Sequence, residues 1–168
     1  MRKFEKISEE QYEKDLKEIC SYEDIAIPTR STKHSAGYDF KSPIEFVLNP
    51  GESKKVPTGI KASMNEDEFL AIFVRSSMGF KYNIRLCNQV GIVDSDYYNN
   101  TDNEGHIFRK IQNEGNEALT INKGDRFAQG IFMNFLITDD DMSFGDRIGG
   151  FGSTGKGEWN SLFLCYNI

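Results

Sequence analysis

From Ile25 to Phe132 the apolar residues come in short runs, each stopped by turn-forming residues. Ile25-Ala26-Ile27 ends at Pro28, and Ile44 to Leu48 ends at Asn49-Pro50-Gly51. Lys54 to Ala62 is interrupted by Pro57-Thr58-Gly59, and the run Phe69 to Val74 ends at Arg75-Ser76-Ser77. The same pattern returns in His106-Ile107-Phe108, Ala118 to Ile121 and Arg126 to Phe132. Runs of this length with turns between them predict a mainly antiparallel β fold, a barrel or sandwich of the jelly-roll kind. Fifteen glycines against four prolines, with 13 Phe and 7 Tyr, suit short strands joined by tight turns. Strands do not alternate with helical segments, which argues against a doubly wound parallel sheet.

One segment reads as a helix, over residues 7–19. Ser8 followed by Gln11 is a capping-box pattern, and Glu9 and Glu10 suit the positive helix start. Tyr12, Leu16 and Ile19 form a narrow apolar stripe, with Ile7 placed to staple onto Tyr12. Three parts are expected: an N-terminal helical extension (1–22), a β-barrel core (23–145) and a C-terminal arm (146–168) that is glycine-rich and then continues as an extra tail. At 168 residues the chain suits one domain, since single domains commonly reach about 100–150 residues and beyond.

A net charge of −6 argues against the broad basic surface that nucleic-acid binding needs. Cys20, Cys87 and Cys165 are far apart with no metal-ligand spacing, so reduced thiols are the plain reading. The start has no apolar signal core, and no run approaches the roughly 20 apolar residues of a membrane span. A cytoplasmic protein without membrane contact is expected.

Five segments place glycines, acids and hydroxyls where β structure prefers apolar residues. Ala36-Gly37-Tyr38-Asp39 sets an acid after a glycine. Arg75-Ser76-Ser77 follows a strand-like run, and a cation beside two hydroxyls suits phosphate oxygens as well as a helix start. Leu86 to Tyr98 carries Asp94 at the end of an apolar run, where it either caps a turn or does chemistry. Gly124 to Gln129 reads as a turn entering a strand. Gly149-Gly150-Phe151-Gly152-Ser153-Thr154-Gly155 is a loop whose N–H and O–H groups suit a phosphate, with an aromatic available to stack. The polar stretch 99–105 reads as an exposed loop.

In this order, AGYD, RSS, GIVDSDY, GDRFAQ and GGFGSTG closely resemble the five motifs of the homotrimeric dUTP diphosphatase (dUTPase) family, over about Ile25 to Lys156. The resemblance implies a jelly-roll subunit, active sites shared between three subunits, and Mg²⁺-dependent hydrolysis of dUTP to dUMP and pyrophosphate. Asp94 then resembles the general base that takes a proton from the water attacking the α-phosphorus; a carboxylate near its ordinary pKa of about 3.9 is ionised at neutral pH. Gln129 matches the glutamine near that phosphorus, and Asp39 the acid that supports the metal through its bound water. Arg75, Ser76 and Ser77 resemble the phosphate contacts. Asn88 and the backbone of a β-hairpin through Val93 resemble the uracil reader, with Tyr97 under the deoxyribose. Phe151 resembles the ring that closes over uracil, and Gly152, Ser153 and Thr154 the grip on the γ-phosphate.

The chain departs from that pattern in places. Asp146 stands where the family's arm arginine is usual, and Arg147, one residue later, is its candidate replacement on the γ-phosphate. Tyr98-Asn99 replaces the usual Arg-Gly, and the loop after it is longer. Two other readings stay open: a related dCTP deaminase, and a phage or prophage dUTPase that also binds a regulatory protein through loop 99–105 or its unusual ends.

Overall fold

A computed structural model of the chain describes residues 1–143 together with 145, 147 and 149. The expectations on Phe151, Gly152, Ser153 and Thr154 therefore lie outside the described residues.

The strands are β1 (Lys3–Lys6), β2 (Thr29–Arg30), β3 (Tyr38–Lys41), β4 (Phe46–Leu48), β5 (Ser53–Pro57) and β6 (Ile60–Ser63). They continue with β7 (Glu68–Val74), β8 (Ile84–Leu86), β9 (Gly91–Asp94), β10 (Phe108–Asn113), β11 (Leu119–Ile121) and β12 (Arg126–Asn134). Two short helices interrupt them, α1 (Glu9–Asp15) and α2 (Ser76–Tyr82). The expected mainly β architecture is thus observed. Every ladder is antiparallel: β2-β3-β12-β7-β9 forms the largest sheet, β5-β10-β8 a second, and β1-β6 and β11-β4 are pairs.

The core follows from strand alternation. Leu70, Ile72, Ile111 and Phe127 are fully buried, each on the inward face of its strand. Gly130 lies where β12 passes Phe40 and Leu70; a Cβ there would come within 2.9 Å of Phe40 and 3.0 Å of Leu70. Glycine there leaves room for the large side chains of the two strands that flank β12 in the same sheet.

The N-terminus differs from its expected form. It supplies a strand, β1, paired with β6, before the helix starts. Phe4 on β1 packs against Phe40, Tyr38 and Phe132 at centroid distances of 5.1–5.6 Å. The helix is shorter than 7–19, because Leu16 already leaves helical geometry as the cap. Leu16 is buried, but Ile19 is half exposed, so the apolar stripe ends with the helix. Only half of the capping box forms. Ser8 Oγ accepts from Gln11 N at 3.1 Å, while Gln11 Nε2 turns to Asp15 and Ser8 N donates to Glu104. A tertiary acceptor has taken the place of the local one.

Ile25 to Pro28 forms no strand, and Ile25 instead packs on Gly59, whose φ of +69° a side chain would strain. Loop 99–105 is only partly exposed: Asn100 and Gly105 are buried, and Asn100 accepts from the backbone N–H of Asp102 and Asn103. Asparagine side chains substitute for ladder partners, which lets a polar segment fold inward.

Candidate functional site

A β-hairpin is expected over Asn88 to Tyr97, but β8, which leads into this stretch, and β9 within it do not pair with each other. β8 pairs with β10, and β9 pairs with β7. Gln89 sits at φ +61° and ends the extended run, so the chain turns from one sheet into the other. Asn88 lies on that corner, exposed, and Gly91 opens β9 close beneath it. A Cβ on Gly91 would meet Ile72 at 3.3 Å and the Asn88 amide at 3.7 Å.

The corner opens onto a cavity of about 650 Å³ lined by Asn88, Val93, Asp94, Tyr97, Arg109 and Arg147, among others. Val93 is buried in the core and also borders this cavity. Asp94 ends β9 with its carboxylate half exposed. Arg147 Nη2 donates to Asp94 Oδ2 at 2.5 Å, and its Nε donates to Asp96 Oδ1 at 2.7 Å. The same guanidinium stands 5.8 Å from the Tyr97 ring. The arginine one residue late in the sequence thus reaches the carboxylate at the heart of the pocket.

Tyr97 is fixed at both ends. Its Oη donates to the His106 carbonyl at 3.0 Å and accepts from Asn103 Nδ2 at 2.8 Å. Asn100 Nδ2 donates to the Tyr97 backbone carbonyl at 2.8 Å. Burial pushes the phenol's pKa above the ordinary value, so it stays a donor at neutral pH.

Arg109 was not singled out by its sequence context. It is 4% exposed, and among the described residues its Nε and Nη2 have no hydrogen-bond partner; Nη1 donates to the Phe108 carbonyl at 2.6 Å. The guanidinium lies 5.2 Å from the Phe40 ring, and burial pushes its pKa down to about 9. A buried, half-satisfied cation is costly, so Arg109→Met is expected to raise the unfolding free energy by roughly 1–4 kcal/mol. Urea unfolding of both proteins measures this, and a less stable variant would contradict it.

The remaining candidates form a second cluster. Gln129 on β12 pairs across to Asp39 on β3 and to Phe73 on β7. Arg75 follows β7 at the N-cap position of α2, with Ser76 and Ser77 in its first turn, so a helix does start here, without a side-chain cap. Arg75, Ser76 and Gln129 line a groove of about 680 Å³; Ser77 is exposed beside it. Asp39 is buried, with Arg75 Nε at 2.9 Å on one oxygen and Arg126 Nη1 at 3.1 Å and Ser31 Oγ at 2.6 Å on the other. Gly37 keeps this corner open, because a Cβ there would stand 2.5 Å from Gln129 Oε1. Arg126 was not anticipated as Asp39's second cation. Its place at the entry of β12 was the available signal, and pairing across the β-bulge made the contact.

The two clusters lie apart within one chain. Asp94 is opposite Phe69 and Gln129 opposite Phe73, four residues along β7. That is about 13 Å along the strand, with two strand spacings, about 10 Å, across the sheet.

No group of three His, Cys, Asp or Glu side chains among the described residues is arranged to hold a metal ion. Both Asp39 oxygens are engaged by arginines and a serine, which does not fit a direct ligand. No helix among the described residues is long and apolar enough to cross a membrane.

The chain is similar in sequence and fold to known proteins. The dUTPase family model matches residues 23–155. The deoxyuridine 5'-triphosphate nucleotidohydrolase of Lactococcus lactis subsp. lactis is 50% identical over 133 residues, covering 78% of this chain and 89% of that protein. The crystal structure of the Streptococcus mutans dUTPase superposes with a TM-score of 0.68 at 39% identity, covering 82% of this chain and 98% of that one. The Staphylococcus bacteriophage 80alpha dUTPase shares the fold, with a TM-score of 0.64 at 17% identity over 85% of this chain and 96% of that one. On the family match and the identity to the Lactococcus enzyme together, the chain belongs to the dUTPase family.

Proposed function

We propose that the chain hydrolyses dUTP to dUMP and pyrophosphate, with Asp94 as general base. The observation that carries this is the convergence of Asn88, Asp94 and Tyr97 on one cavity with Arg147 on the Asp94 carboxylate. In the step, a water oxygen attacks the α-phosphorus and its proton passes to Asp94. The bond from the α-phosphorus to the bridging oxygen breaks, and pyrophosphate leaves with that electron pair. Arg147 neutralises Asp94 in the structure; a triphosphate competes for the same guanidinium and frees the carboxylate to accept a proton.

The corner backbone and Asn88 read uracil. Cytosine presents a donor where uracil presents an acceptor, which leaves polar groups unpaired. Tyr97 seats the deoxyribose. Arg75, Ser76 and Gln129 hold phosphates through charge-assisted and neutral hydrogen bonds, and Ser77 stands beside them.

The separation of the two clusters supports a site completed between copies, in a homotrimer that pairs the Asp94 pocket of one copy with the Arg75 groove of the next. Magnesium commonly binds through substrate phosphates with few protein ligands, so a bound ion would neutralise charge on the triphosphate, and Asp39, which orders Arg75 and Arg126, would support it through bound water.

Pyrophosphate release from dUTP, dTTP, dCTP and UTP, assayed side by side, tests the specificity. dUTP is expected to exceed dCTP in kcat/KM by about 10⁴, the penalty for unpaired buried groups. Comparable rates, or ammonia release from dCTP, would overturn the reading in favour of a deaminase.

A further inference from the structure

His106 stands outside the substrate-contacting set, fully buried, yet it joins the N-terminal helix to the pocket. Its Nε2 accepts from Gly59 N–H at 2.9 Å. Nδ1 must then carry the proton, which it donates to Asp15 Oδ2 at 2.6 Å, at the end of α1. Gln11 Nε2 holds the same Asp15 oxygen at 2.8 Å. On the pocket side, the His106 carbonyl accepts from Tyr97 Oη, and its N–H donates to the Asn103 carbonyl at 2.9 Å. Its ring packs on Phe108, another residue of the pocket wall, at a centroid distance of 4.0 Å. Glu104 ties the intervening loop down, accepting from Lys61 Nζ at 2.5 Å and from Ser8 N at 2.9 Å. Helix, loop and tyrosine therefore form one connected hydrogen-bonded unit.

We infer that Asp15 and His106 are positioning residues for Tyr97, through which the N-terminal helix sets the seat of the substrate's sugar ring. The inference rests on the reading of Tyr97 as the residue beneath the deoxyribose. It also gives the long loop 99–105 an inward role, since Asn100, Asn103 and Glu104 all spend their side chains on this unit.

The imidazole works in one protonation state. A proton on Nε2 would face the Gly59 N–H and break that bond. The charged and titratable groups facing the ring are Asp15 from α1, Lys55 from β5 and Arg109 from β10. Burial, aided by Lys55 and Arg109, outweighs Asp15 and holds the imidazole pKa below its ordinary value. As pH falls below about 6.5 the unfolded chain takes up this proton first, so stability declines with pH. Lower still, the native ring charges, the Gly59 bond is lost, and the residue whose carbonyl holds Tyr97 is less firmly fixed.

The test compares Tyr97→Ala, Asp15→Ala and Asp15→Asn in steady-state dUTP hydrolysis across pH, with folding checked by circular dichroism. Asp15→Ala is expected to raise KM about tenfold with kcat nearly unchanged, because a displaced seat weakens binding before it affects the chemistry. Asp15→Asn keeps an acceptor for Nδ1–H and is expected to restore KM at neutral pH. With the carboxylate's charge gone, the acidic rise in KM should move to lower pH. If Asp15→Ala fails to fold, the pH profile of Asp15→Asn decides, and an unmoved acidic limb overturns the inference. If Tyr97→Ala raises KM while both Asp15 variants leave KM and its pH profile unchanged, the inference fails and the pocket reading stands. If Tyr97→Ala itself leaves KM unchanged, both fall.

Discussion

Asp94→Asn is expected to lower dUTP turnover by about 10³-fold, within the range by which positioned general bases accelerate proton transfer. The substitution preserves size and removes the atom's ability to take the water's proton. It also removes a negative charge from the wall of a pocket that receives a polyanion. Binding of a non-hydrolysable dUTP analogue should therefore be kept or strengthened. Pyrophosphate release gives kcat and calorimetry gives Kd. Near-normal turnover would refute the base assignment, and joint loss of turnover and binding would make Asp94 a binding residue. Asp96→Asn is the control, because Asp96 shares Arg147 with Asp94 but does not line the cavity. Its turnover should stay within the same order of magnitude.

Mixing two inactive variants is expected to restore activity. Arg75→Ala removes a cation from the second cluster, which should cost about 10²–10³ in turnover, as losing one oxyanion-stabilising group does. Asp94→Asn disables the first cluster. If each site joins one copy's Asp94 pocket to a neighbour's Arg75 groove, co-refolded mixtures contain interfaces with both halves intact. Random assembly at equal ratio should recover about a quarter of the wild-type rate, the statistical share of such interfaces in a symmetric oligomer. No recovery, with mixed oligomers demonstrated by two tags, would place the complete site within a single chain. The spacing of Asp94 from Gln129 along β7 makes the shared site the expected outcome.

The sequence by itself determined the mainly β architecture, because turn residues cut its apolar runs to strand length. It also brought Asp94, Asn88 and Tyr97 to notice, since five short motifs in fixed order carry far more information than any one of them. What it left out depends on contacts remote in the chain. Lys3–Lys6 has too few apolar residues to announce a strand, and β6 recruits it through backbone bonds that any side chains permit. The expected hairpin became a corner because its strands found partners in different sheets, a choice made by β7 and β10. Local capping rules gave Gln11 and Ser8 to each other, yet Asp15 and Glu104 took half of that pairing. His106 looked like one end of an apolar run, and nothing near it in sequence names Asp15 as its partner, 91 residues away. Arg109 sits on an ordinary alternating strand, and only the packed core makes it a buried cation. Periodicity and motif order are local properties that sequence displays directly. Which buried polar groups satisfy one another is decided when distant segments pack, and only the tertiary structure could settle that.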